Sequence, residues 1–89
     1  MLNERRYLSA PTKQEKLLDE NGVHVGYRIA YGLQKGEVTH TERVEVITGQ
    51  EEAERLASSG SDYFTQWYVA QVDQHGLIAK ANAALDAID

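Results

Sequence analysis

The sequence predicts an α+β fold, an antiparallel β-meander with the order β-β-β-α-β-α and its helices packed on one sheet face. Three observations carry this expectation. The run 23–33, VHVGYRIAYGL, places Val23, Val25, Tyr27, Ile29, Tyr31 and Leu33 at alternate positions, with polar or small residues between them. A period of two marks a strand with one buried face. Turn dipeptides, Asn21-Gly22 and Lys35-Gly36, bracket that run, and the C-terminal LIAKANAALDAID carries a helical stripe.

Each element follows from its residues. Asn-Gly tolerates positive φ at both positions, so a strand at about 14–20 is expected to pair across Asn21-Gly22. That pairing sets Leu18 opposite Val25 on the core face and Asp19 opposite His24 on the other. A loop centred on Lys35-Gly36 pairs Leu33 with Val38, Tyr31 with His40, Ile29 with Glu42, Tyr27 with Val44 and Val25 with Val46, giving a third strand at 38–47. Thr48-Gly49-Gln50-Glu51 reads as a capping box for a helix ending near Ser59, with Gly60 as a positive-φ terminator and Ala53, Leu56 and Ala57 as a small apolar stripe.

The segment YFTQWYVAQV (63–72) supports two readings. Its aromatic and β-branched content favours a strand that is apolar on both faces, whereas Phe64, Tyr68 and Val72 also fall at helical i, i+4 spacing. We take it as a strand. After a turn at Asp73–Gly76, Leu77, Ile78, Ala81, Leu85 and Ile88 form the stripe of the last helix.

At 89 residues the chain has room for one core, expected over 14–89, preceded by a basic flexible arm at 1–13. The charge is uneven. Residues 1–18 carry Arg5, Arg6, Lys13 and Lys16 against Glu4 and Glu15, a net +2, and the remainder brings the whole chain to −5. An acidic body opposes nonspecific nucleic-acid binding and suits a basic protein partner. With no cysteine, disulfides, thiolate catalysis and Cys-ligated metal centres are excluded, and a reducing cytoplasmic setting is expected. MLNERRYLSAPTK has no apolar core of the secretory type, and no segment approaches the roughly 20 apolar residues of a membrane span.

The β-β-β-α opening followed by T-x-x-E-E-A-E resembles, in topology alone, the small three-stranded DNA-binding modules at the N-terminus of phage-type integrases. This chain departs from them in its acidic body, so no residue role is carried across.

Three groups of residues merit functional weight. Tyr31, His40 and Glu42 lie where the apolar row breaks, and a His with a carboxylate two residues away suits a small ligand or an orienting pair. No third ligand or nucleophile accompanies them, so neither a metal site nor a catalytic residue is assigned. Arg28 and Arg43, expected to face each other among small residues on the outer sheet face, suit a carboxylate or phosphate backbone. Tyr63, Trp67 and Tyr68, split between two faces of a strand, suit a protein partner or a homodimer seam. The glycines form no phosphate loop, and Ser58, Ser59 and Ser61 lack the setting of a nucleophile. No cofactor and no enzymatic activity are expected. The chain reads as a small acidic protein-interaction module. It is similar in size and charge to accessory and inhibitor proteins of phages and mobile elements that act by occluding a partner. The alternative is a nucleic-acid-binding domain using the outer sheet face and the basic arm, and a weaker one is a small-ligand or metal site at Tyr31, His40 and Glu42 of the distal hairpin.

Overall fold

The computed structural model describes residues 5–7 and 11–88. Its elements run β1 (Arg5–Tyr7), β2 (Lys16–Leu18), β3 (His24–Lys35), β4 (Val38–Ile47), α1 (Gln50–Ser58), α2 (Ser61–Gln74) and α3 (Leu77–Asp86). The α+β class, the antiparallel meander and the one-sided helix layer are as the sequence predicts. Residues 63–72, however, belong to a helix, so three helices follow the meander.

The long strand β3 organises everything. From Gly26 to Lys35 it pairs with β4 on one edge. Its other edge is shared end to end by β2, at Tyr27 to His24, and β1, at Leu33 to Lys35. Of the segment expected as an arm, Arg5–Tyr7 are therefore a strand, Lys13 is tied to α1, and residues 1–4 and 8–10 lie outside the described residues.

The β3–β4 hairpin closes one position later than expected. Gly36, with φ +61, opens the tight loop, and Lys35 pairs with Val38. A two-residue loop with glycine first suits the twist of the flanking strands. Each partner consequently moves by two residues, which preserves which face each side chain occupies. Tyr31 pairs with Glu42, Leu33 with His40, and Arg28 with Glu45 rather than with Arg43.

The β2–β3 register holds at Lys16 and Leu17 and then slips through a bulge, so Leu18 pairs with His24 and is 59% exposed instead of entering the core. The expected Asp19–His24 pair is absent because Asp19 is committed to the turn. Its carboxylate accepts from the backbone N–H of Asn21 at 2.8 Å and of Val23 at 2.9 Å. His24 instead bonds the Gly26 carbonyl at 2.9 Å and meets the edge of Tyr27.

Odd-numbered residues of β3 face the helices. Tyr27 and Ile29 pack with Leu56 of α1, Phe64, Tyr68 and Val72 of α2, and Leu77 of α3, while Leu33 packs with Ala81 and Leu85. Tyr31 touches both groups. The three buried residues of α2 are spaced by four, so a helix puts them on one stripe where a strand would also align them but expose its intervening aromatics. Burial of that stripe decides the conformation.

The helix ends differ from the expected caps. Gly49, at φ +93, takes the N-cap position of α1, and Thr48 turns its hydroxyl to the carbonyls of Val25 and Gly49, so no capping box forms. Gly60 has φ −69 and is the N-cap of α2 instead of a left-handed stop. Left-handed geometry falls on Gly76, between α2 and α3. In α3, Leu77, Ala81 and Leu85 are buried, whereas Ile78 and Ile88, expected on the stripe, are exposed.

Candidate functional site

All three helices pack on one side, and among the described residues no helix covers the opposite face of the sheet. Register places Leu17, Gly26, Arg28, Ala30 and Gly32 on it, beside Thr39, Thr41, Arg43, Glu45 and Ile47 of β4. The small residues of β3 keep it low, and Ile47 rises from one end at 66% exposed.

The electrostatics follow from the register. Arg28 lies opposite Glu45 and donates to its carboxylate at 2.8 Å, and it reaches Glu15 at 3.5 Å. The hydrogen bond and charge of Glu45 hold the Arg28 guanidinium above its ordinary value. Arg43, one pair further along β4, is exposed and makes no ion pair among the described residues. Among its described side chains the face therefore offers one free cation beside a neutralised one.

At its centre lies a concavity of ≈ 270 Å³ lined by Thr12, Glu15, Arg28, Ala30, Thr41, Arg43 and Tyr68. It exists because β1 and β2 leave the middle of the β3 edge uncovered. The Arg28 N–H there donates to the Glu15 carbonyl at 2.9 Å. At Ala30 no strand pairs among the described residues, and Tyr68 reaches the gap from the helix side. Its hydroxyl accepts from the Ala30 N–H at 2.9 Å and donates to the Ala30 carbonyl at 3.1 Å.

The other candidate residues fall elsewhere. His40 and Glu42 face the helix side of β4, about a third exposed, and hydrogen-bond to each other. Tyr31 stacks on Tyr7 at 4.9 Å between ring centroids, which ties β1 to the sheet. Among the described residues no group of three His, Cys, Asp or Glu side chains is arranged to hold a metal ion. Trp67 packs edge-on to Tyr27 at 5.9 Å and beside Phe64 at 5.8 Å, and Tyr68 is 2% exposed. Tyr63 is exposed and donates to Glu52 of α1 at 3.2 Å. The aromatic group thus joins α1, α2 and β3 and does not divide between two sheet faces.

Lys13, which the sequence pattern did not single out, donates to the carbonyls of Ser59 at 2.6 Å and Ala57 at 3.3 Å, at the end of α1, and sits 5.6 Å from the Phe64 ring centre. No local sequence signal marks a contact across so many residues. Among the described residues no helix is long and apolar enough to cross a membrane. In comparisons with known proteins, no family model, curated protein or solved structure matches this chain.

Proposed function

We propose that this chain is a non-enzymatic protein-interaction module that covers a partner's surface with the helix-free face of its sheet. The observation that carries this reading is the one-sided packing. Among the described residues no helix covers this face of small residues, where Ala30 and Thr41 are half-buried and Ile47 and Arg43 are exposed. Mixed apolar and polar character of this kind suits a protein surface. A polyanion would call for a row of free cations, and two carboxylates engage Arg28.

The test is capture from a lysate of the cell that carries the gene, using tagged chain. Thr41→Arg inserts bulk and charge into the middle of the face, while Glu54→Arg places similar bulk on the exposed side of α1. A partner retained by wild type and Glu54→Arg but lost by Thr41→Arg supports the reading. Retention by Thr41→Arg with loss by Glu54→Arg overturns it.

A further inference from the structure

The outer edge of β4 is a regular, ten-residue strand edge without a partner strand among the described residues. Arg28 and Ala30 send their backbone groups away from β4, to Glu15 and Tyr68. Alternation along an antiparallel pair then directs Tyr27, Ile29, Tyr31 and Leu33 to β4, where Val46, Val44, Glu42 and His40 answer them. The intervening β4 residues, Thr39, Thr41, Arg43, Glu45 and Ile47, point their N–H and C=O groups outward. Some of the usual protections of such an edge are missing, since β4 has no proline, no lysine and no bulge, and its charges are Glu42, Arg43 and Glu45.

We infer that this edge pairs with β4 of a second copy, antiparallel about a two-fold axis normal to the sheet at Val44. That axis keeps each sheet face on its own side, so residues of like parity meet. Centring the pair on Glu42, Arg43 or Glu45 would set each of those charges against itself. Centring it on Val44 sets Val44 against Val44 and places Arg43 opposite Glu45 of the second copy, twice over. Thr41 then meets Ile47, covering that exposed side chain. Arg43 and Glu45 direct their backbone groups outward, so these opposed pairs also exchange the hydrogen bonds. Two four-stranded sheets become one continuous sheet with both open faces on the same side. This pairing does not rest on the docking role proposed for that face.

The experiment measures solution mass by sedimentation for wild type, Arg43→Glu, Glu45→Arg and the double swap. Expected is twice the 10.0 kDa chain mass for wild type, dimer affinity about tenfold weaker in each single variant, and recovery in the double swap. Val44→Cys, in a chain with no other cysteine, is expected to cross-link under mild oxidation. A wild-type protein of single-chain mass at every attainable concentration overturns the inference. So does a dimer indifferent to both charge reversals and to cysteine at position 44.

Discussion

The hydroxyl of Tyr68 stands in for a missing strand residue at Ala30, accepting from its N–H at 2.9 Å and donating to its carbonyl at 3.1 Å. A half-covered strand edge would otherwise leave both groups without a protein partner. Tyr68→Phe keeps the ring in the core and removes only this bridge. The expected cost is about 1–2 kcal/mol in chemical denaturation, with the Ala30 amide losing hydrogen-exchange protection before those of Ile29 and Tyr31.

Lys13 holds the entry to β2 against the end of α1 by donating to the Ser59 and Ala57 carbonyls. A cation at that end also opposes the negative pole of the helix. Lys13→Met retains much of the aliphatic stem and loses the charge and donors. We expect a loss of about 1–2 kcal/mol in thermal or urea unfolding, with Lys13→Arg recovering part of it.

The meander was legible because its evidence is local. Alternation from Val23 to Leu33 and the glycine of the turn suffice for two strands and their faces, and a one-position slip of the loop leaves parity intact. The conformation of 63–72 was not legible, because the strand preference of aromatic and β-branched residues depends on what packs against them, and those partners lie elsewhere in the chain. Here α1 and α3 leave room for a single stripe, Phe64, Tyr68 and Val72, and helix spacing supplies it. The open face is legible in the sequence but its charge is not, since the same slip sets Glu45 and not Arg43 opposite Arg28. The Lys13 and Tyr68 contacts join residues 46 and 38 positions apart, beyond any local pattern.

Gly26 is required by a close approach. A Cβ there would lie 2.0 Å from the Val46 carbonyl oxygen and 3.1 Å from the Ile47 Cα, both backbone atoms that cannot rotate away. Gly26→Ala is therefore expected to cost about 2–3 kcal/mol or to prevent folding. Gly22→Ala, at φ +80 in open space, meets only the left-handed penalty of about 1–2 kcal/mol. Denaturation midpoints of the two variants distinguish steric overlap from backbone strain.

Tyr27 is fully buried, and among the described residues its hydroxyl has no hydrogen-bond partner. Burial raises its pKa, and burial with the charges of Tyr68 and Tyr31 raises that of Tyr7. A raised folded-state value means the neutral phenol is favoured in the native protein. That contribution is complete below the unfolded value near pH ~10 and is lost as pH climbs through the folded value. Tyr27→Phe is expected to be neutral or to gain up to about 1 kcal/mol near pH 7, and to flatten the alkaline fall. Some decline remains, because Tyr7 still titrates. Denaturant titrations across the alkaline range, with phenolate absorbance followed in parallel, check both statements.

The pairing of Arg28 with Glu45 and Glu15 bears on what the open face rejects. An exposed pair of this kind adds little to stability, so its main consequence is the charge the face presents. With both carboxylates in place, Arg43 is the one uncompensated cation that the described side chains of this face offer a phosphate backbone. Wild-type protein is therefore expected to give no salt-dependent shift of duplex DNA at low ionic strength. Replacing both carboxylates, Glu15→Gln with Glu45→Gln, frees Arg28 beside Arg43 and is expected to produce weak binding whose logarithm falls with the logarithm of salt concentration. Further substitution of Arg28→Gln should abolish the gain. Strong binding by the wild type, steep in salt and lost on Arg43→Gln, would instead make the face a nucleic-acid surface and displace the protein-partner reading.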